Sequence, residues 1–493
     1  MTATERVIES LPPHLRRYAV AQEWDAYTPR DHAVWRHVMR RLTRHLADKA
    51  HPSYLAGLAA TGISVERIPR IDEMNEKLAA VGWSAVPVRG FVPPAVFTEM
   101  QSLGALAIAA DIRSVEHVEY TPAPDILHES AGHAPIVANR RYAEYLKAAG
   151  EVGFRAIASA ADQVVFEAVR TLSVVKEDPG ATPEEIRLAE ERLAAAAASR
   201  GAASESARAS RLYWWTAEYG LMGELARPRL YGAGLLSSIG ESARCLGEAV
   251  RRVELSPACA EVDFDITRMQ PQLFVARDFE HLFEVLEAFE ATLSWRRGGD
   301  RALAEALGAG TVVHLGLEGG RELTGRVVEV IQGLAPACPG LGAALARIEG
   351  PVLRSRAGRA EGQALPGPAL VAFGRGEDPQ GRFHLALHTG LELTGFATGG
   401  GEVVDLRGLL SGRPLDLPGA CLLSISASLP SVAGGPADAV AWDERFGALD
   451  AFAEGEGEAR ARAHKAAELA PALAGLYRRA RELRERGRAD ERG

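Results

Sequence analysis

Two histidines five positions apart, His128 and His133 in "DILHESAGHAP" (125–135), are the residues of this chain best suited to hold a metal ion. Neutral imidazole is a common metal ligand, and an acidic residue, Glu129, stands between them. In a regular helix, five steps of about 100° leave two side chains about 140° apart, too far round to share one ion. A π-turn brings residues five apart into line, so the spacing predicts a locally widened helix here. Gly132, just ahead of the second histidine, lowers the cost of that distortion. The same count sets aside the H-E-x-x-H zinc hydrolases, whose histidines are four apart. Asp125 follows Pro124 and is placed to cap the helix that carries His128, a cap alone being one reading of it.

Such a pair wants a third ligand. Two imidazoles and one carboxylate on one face of an octahedron leave positions open for water, oxygen or substrate, the arrangement of non-haem Fe(II) oxygenases. Many carboxylates could complete the set, and spacing alone does not choose among them. By pattern, Glu218 in "LYWWTAEYGLMGE" (212–224) is favoured: its surroundings are aromatic enough to be buried, and a buried glutamate needs a partner.

The elements that must position these residues read as mainly helical over 1–300. "PRDHAVWRHVMRRLTRHLADK" (29–49) sets Val34, Val38, Leu42 and Leu46 at four-residue steps, an amphipathic helix against a core. "RIDEMNEKLAAVG" (70–82) predicts a helix with Asp72 as N-cap and Gly82 as C-cap. "ATPEEIRLAEERLAAAAASR" (181–200) carries Thr182, Pro183 and Glu185 as a capping box with proline at the first turn. That helix belongs to an alanine-rich segment, about 174–209, that looks inserted.

Past about Gly299, glycine and proline become frequent. Short β-like runs such as "GTVVHLGL", "GRVVEVIQG" and "RFHLALHTG" alternate with turn residues. Glu-Leu-Thr-Gly occurs in "GRELTGRVVEV" (320–330) and again in "GLELTGFATGG" (390–400), suggesting a duplicated hairpin in a small β-rich domain over 301–450. A charged helical tail over 451–493 follows. Its stripe of Leu473, Leu476, Tyr477, Ala480 and Leu483 would dock on the body of the protein or join two chains as a homo-oligomer.

Composition narrows the function from another side. The net charge of −9 argues against a nucleic-acid partner, which selects a basic face. "LGALAIAA" (103–110) is far too short to span a bilayer, so no membrane partner is expected. The opening residues lack the apolar core of a secretion signal. Cys245, Cys259, Cys338 and Cys421 form no C-x-x-C pair, which suits a reducing, cytoplasmic setting. His32, His45, His314, His384 and His388 show no ligand spacing and are expected to be core or surface residues.

"YTPAPDILHESAGHAP" (120–135), "YWWTAEYGL" (213–221) and "YGAGLLSSIGE" (231–241), in that order, resemble the signature blocks of the pterin-dependent aromatic amino acid hydroxylases. "YTPRDHAVWRHVMRRL" (27–42) is similar to the start of that family's catalytic domain, and the resemblance covers roughly 20–290. It implies the aromatic amino acid hydroxylase fold for the mainly α domain. It also implies an Fe(II) site made by His128, His133 and Glu218, and tetrahydrobiopterin or a related tetrahydropterin as two-electron reductant. The hard oxidation of a neutral ring would then be carried by metal and cofactor, with O2 as co-substrate.

Residue by residue, the resemblance makes Phe97 the stacking platform of the pterin, with backbone groups of Gly90, Phe91 and Val92 along its edge. Pro93 and Pro94 stand where the family usually has small polar residues, and proline removes amide donors. Glu129 would lie by the pterin and the metal-bound water, and Tyr213 near the iron. Arg113 would clamp the carboxylate of an aromatic L-amino acid, assisted by Ser237, which would also support His128 from behind. Tyr120, Thr121 and Pro122 would line the pocket, and Trp214 and Tyr219 would pack around the substrate ring, whereas Trp215 reads as core. The separation of 85 positions between His133 and Glu218 exceeds the family's, and the surplus falls in the alanine-rich segment. The β-rich domain has no counterpart in it.

The expected reaction is hydroxylation of phenylalanine to tyrosine. Tyrosine or tryptophan hydroxylation is the alternative within the family. A metal-dependent hydrolase with Glu129 as general base leaves Arg113 and Phe97 without a task, and a sensor protein would not need all three ligands.

Overall fold

The computed structural model describes residues 1–119, 124–266, 269–334, 338–362, 364–365, 368–374, 381–387, 389–390, 392–397, 403–410, 413–449 and 471–490. Its N-terminal part is built around the helix Pro29–Leu46, which starts at a Thr28–Asp31 capping box and buries Val34, Val38, Leu42 and Leu46 as their spacing predicts. Trp35, Tyr54, Tyr142, Tyr145, Trp215 and Tyr231 fill one continuous core with it, each essentially inaccessible. Two strands, Ser84–Val88 and Ala105–Ala109, pair in parallel. The helix Pro94–Ser102 connects them, with Pro93 as its N-cap and Pro94 at its first position. The proline pair thus starts a helix, where the missing amides cost nothing.

Downstream, the helix Arg140–Arg155 leads to a hairpin of two helices, Ala160–Glu177 and Pro183–Ser199. The second begins with the expected Thr182–Glu185 capping box. The chain returns through Glu205–Tyr213 to a small sheet ordered Arg229–Leu230, Leu221–Met222, Gln272–Ala276, Arg251–Glu254. One expectation fails locally. Asp72 does not cap its helix, which begins at Ile71 after Arg70; its carboxylate accepts the Thr4 amide instead, 2.9 Å away. Gly82 does close that segment, at φ 70°.

The C-terminal part is a sheet of strands from Val313 to Gly434, mostly antiparallel, with one parallel pairing among the described residues, of Ala369–Phe373 and Arg413–Ser426. Both Glu-Leu-Thr-Gly copies lie in strands paired on two sides, Arg321–Gln332 and Glu392–Ala397. In each, the register shifts across the glycine, between Thr324 and Arg326 and between Thr394 and Phe396. Each copy also buries its leucine, Leu323 in one core and Leu393 in another. The repeat is therefore structural: in the middle strand of a three-stranded meander its glycine stands opposite a bulge, whose extra residues belong to the neighbouring strand. The helix Gly299–Ala309 packs its Ala302, Leu303 and Ala306 into the same core as Leu323, and Ile157 from the N-terminal part joins them. The Thr311 hydroxyl donates to the Ala158 carbonyl at 2.6 Å, tying the sheet to the root of the helical hairpin.

The tail helix Pro471–Asp490 lies against Pro29–Leu46, with the Arg481 guanidinium 5.5 Å from the Trp24 ring centre. Leu473, Leu476 and Leu483 of its apolar stripe remain exposed. Among the remaining histidines, His32 accepts the Ile68 amide in the core, and His45 and His314 bond to backbone carbonyls. His384 pairs with Glu392 at the surface, and His388 lies outside the described residues. No helix among the described residues is long and apolar enough to cross a membrane.

Candidate metal and cofactor centre

The helical turn after Asp125 widens into a π-helix over His128–His133, and a second π-helix, Trp214–Glu218, ends the segment that began at Glu205. The widening turns both imidazoles to one side, with ring centres 5.1 Å apart and planes near perpendicular. Glu218 faces them: its Oε2 is 3.3 Å from His128 Nε2 and its Oε1 is 3.0 Å from His133 Nε2. One ligand atom from each of the three lies within 4.8 Å of the others.

A short helix, Ala233–Ser237, wedges both turns together. A Cβ on Gly132 would sit 2.7 Å from the Ala233 carbonyl oxygen, and one on Gly232 would sit 2.4 Å from that of Glu218. Gly132 is thus required by close packing of backbones, a different reason from the ease of distortion read in the sequence. The Ser237 hydroxyl donates to the Ala233 carbonyl at 2.7 Å and stands 2.8 Å from His128 Nδ1. Its proton being so engaged, it accepts from Nδ1–H, which leaves the lone pair of His128 on Nε2, facing Glu218.

The donor set fits a divalent transition metal. Among the described residues, neither ring nitrogen of His133 has a hydrogen-bond partner, although the side chain is only 1% exposed. A buried ring nitrogen aimed at a carboxylate without a good bond is costly unless an ion completes it. Burial alone would raise the Glu218 carboxyl, but the imidazoles of His133 and His128 override it and hold the group well below the usual carboxylate range, as an anion. With 19% and 12% of their side chains exposed, His128 and Glu218 leave one side of the cluster open. Two imidazoles and a carboxylate with an open side suit Fe(II) and its exchangeable ligands.

Glu129 is buried rather than a solvated first-turn residue, its Oε2 3.9 Å from His133 Nε2. Burial pushes its carboxyl up to about 8, opposed by His133 and assisted by the charges of Glu218 and Asp125. Asp125 does cap the helix, accepting the His128 amide at 2.9 Å, and does more. It grips Arg113 through Nε and Nη2, both at 2.8 Å, and accepts the Arg113 amide at 3.0 Å. Despite burial, which raises it, the Arg113 guanidinium keeps Asp125 below the usual carboxylate range. The grip fixes the guanidinium plane and leaves Nη1 as the edge able to meet another carboxylate.

Phe97 is half-buried and meets Tyr213 edge to face, ring centres 5.7 Å apart. The Tyr213 hydroxyl accepts from Gln101 Nε2 at 2.6 Å, so Tyr213 and Phe97 are locked to one helix. Gly90, at φ 58°, with Phe91 and Val92, forms the turn into that helix. Trp214 is stacked between Tyr219, at 4.5 Å, and Phe264, at 4.2 Å. Trp215 is core, as expected, donating to the Val262 carbonyl. Tyr120, Thr121 and Pro122 lie outside the described residues. Sequence reasoning missed Gln101, Phe264 and the second role of Asp125. The first two lie far away in the chain and carried no local signal; the carboxylate 12 residues past Arg113 was visible but had no stated partner.

The sequence model of the biopterin-dependent aromatic amino acid hydroxylases matches residues 20–172 and 187–297, so the unmatched stretch, 173–186, is narrower than the inserted segment expected from composition. The phenylalanine-4-hydroxylase of Chromobacterium violaceum is 29% identical over 274 residues, covering 55% of this chain and 75% of that one. That of Ralstonia nicotianae is 30% identical over 292 residues, covering 59% and 77%. A crystal structure of the C. violaceum enzyme with bound iron(III) and 7,8-dihydrobiopterin aligns at 27% identity and a TM-score of 0.45, over 59% of this chain and 90% of that one. With the family's sequence pattern spanning more than half of the chain and both π-helical turns inside it, this protein belongs to the biopterin-dependent aromatic amino acid hydroxylases.

Proposed function

We propose that this protein hydroxylates phenylalanine to tyrosine, using O2, ferrous iron and a tetrahydropterin. The observation that carries the reading is the convergence of His128, His133 and Glu218 at an open-sided, otherwise buried point. These three residues would hold the iron, and the bound iron and tetrahydropterin would together supply the oxidising power for the ring. Ser237 keeps His128 in the tautomer that a metal needs. Phe97, braced by Tyr213, would stack on the pterin, the backbone of Gly90, Phe91 and Val92 would meet its edge, and Glu129 would fix it and the neighbouring water. Arg113, oriented by Asp125, would bind the amino acid's carboxylate. Tyr120, Thr121 and Pro122 would complete the pocket, and the Trp214–Tyr219 stack would exclude water from the ring. Phenylalanine is preferred to tyrosine and tryptophan because the relatives above are phenylalanine-4-hydroxylases.

Purified protein assayed with Fe(II), tetrahydropterin and each of the three aromatic amino acids tests this. Tyrosine formed from phenylalanine, only with pterin present, is the expected result. Turnover of tryptophan or tyrosine alone would move the substrate within the family, and amide cleavage without pterin would replace the reading with a hydrolase.

The separate cores support a division into a catalytic unit over 1–300, a β-rich unit over 301–450 and a tail over 451–493. The exposed Leu473, Leu476 and Leu483 support pairing of two chains through the tail helix. Cys245, Cys259 and Cys338 are free thiols, in keeping with a cytoplasmic setting.

A further inference from the structure

The helical hairpin over 160–199 is fixed at both of its ends. At the root, Asp162 accepts from Ser159, Arg200 and Ser204, joining the start of the first helix to the chain beyond the second. Glu205 bonds there to the Ile157 amide and to Ser294. At the tip, Lys176 pairs with Glu190 across the two helices at 2.8 Å. The last residue of the first helix, Glu177, carries its carboxylate to His117: Oε1 lies 3.0 Å from Nδ1, with Glu177 5% and His117 31% exposed.

This contact is costly in isolation. A carboxylate at the C-terminal end of a helix meets the negative end of the helix dipole, and burial adds a desolvation penalty. What it holds is the segment between Arg113 and the pocket residues after it. His117 closes the single turn Val115–His117, four positions beyond Arg113, and the Ser114 hydroxyl stands 3.4 Å from the same His117 nitrogen. Asp125 anchors this segment at Arg113 and Glu177 anchors it at His117. Glu177 also lies within 173–186, the stretch that the family's sequence pattern does not match.

We propose that Glu177 is a positioning residue for amino-acid binding: through His117 it holds the loop that follows Arg113, so that this chain's own hairpin sets the substrate site. The inference rests on the proposed role of Arg113 and its neighbours in binding the amino acid. Glu177 acts on the amino acid through the loop and not by direct contact.

The test is Glu177→Gln, read first by amide exchange over residues 113–119 in the metal-free, substrate-free protein. Exchange there should quicken while the 160–177 helix keeps its protection. Phenylalanine affinity, measured by calorimetry, should fall about three- to tenfold, the worth of one such hydrogen bond. In turnover, KM for the amino acid should rise with kcat and the pterin KM nearly unchanged. Glu177→Asp should recover part of the affinity. His117→Gln should reproduce the loss from the loop side, with the double variant no worse than either single one. Unchanged exchange and unchanged affinity in both single variants would overturn the proposal. So would a loss that spreads over the whole hairpin and leaves 113–119 protected. If another aromatic amino acid proves to be the substrate, affinity is measured with that one, and the exchange measurement needs none.

Discussion

The metal centre and the β-rich sheet solve opposite problems. Around His128, His133 and Glu218, the backbone departs from regular helix twice and a glycine-bearing helix is forced between the turns. The ring nitrogens of His133 are left buried there with no hydrogen-bond partner among the described residues. In the sheet, regular pairing dominates, a bulge opposite a glycine occurs twice at equivalent places, and Leu323, Leu393, Val371 and Phe373 pack as ordinary core. The departures from regular helix fall where an ion can compensate them, whereas those of the sheet are shifts in strand register.

The sharpest way to break that contrast is to remove the carboxylate. Glu218→Ala should weaken Fe(II) binding more than about a hundredfold and abolish hydroxylation. Glu129→Ala should keep its iron and raise the pterin concentration needed. Full iron occupancy in the Glu218 variant, by metal analysis after gel filtration, would remove that residue from the site.

Glycines in the two regions should then differ in cost. Gly132→Ala pushes a methyl into the Ala233 backbone and should destabilise the protein by about 2–3 kcal/mol. Gly325→Ala meets the Ile348 side chain, 2.4 Å away, which can shift, and should cost about 1 kcal/mol. Denaturant titration of both variants checks the order, and equal costs would contradict it. Ser237→Ala should lower Fe(II) affinity about tenfold by releasing the His128 tautomer, while apoprotein stability changes little. An unchanged metal affinity would mean that His128 needs no such support.

The smallest effect lies in the sheet. Burial holds His314 below its ordinary pKa, partly offset by its bond to the Gly435 carbonyl. Its folded-state pKa is thus depressed, so the stability present above the unfolded value, about 6.5, falls as pH drops below it. Between pH 7.5 and 5.5 the wild type should lose up to about 1 kcal/mol more than His314→Gln. Parallel pH profiles of the two would assign the acid sensitivity elsewhere.

Much of the centre was legible because spacing is itself geometry. The five-position step from His128 to His133 demanded a widened helix, and one is present. The capping box at Thr182 and the four-residue stripe of the helix Pro29–Leu46 were legible for the same reason: each is complete within a few turns. What spacing could not supply is the partner of a side chain distant in sequence. Asp125 could be read as a cap, but its grip on Arg113 depends on how two loops meet. Phe264 stacks on Trp214 across 50 positions of chain, and Glu177 reaches His117 across 60. Asp72 misled because a carboxylate early in a helix looks like a cap, whereas an N-terminal amide from a distant segment claimed it.

Hydroxylation at this centre requires two imidazoles to share one ferrous ion. X-ray absorption spectra of the Fe(II)-loaded protein, beside His128→Ala and His133→Ala, measure this directly. Scattering from two imidazoles in the wild type, falling to one in whichever variant still retains iron, is the predicted result. Two imidazoles persisting after either substitution would place the iron elsewhere.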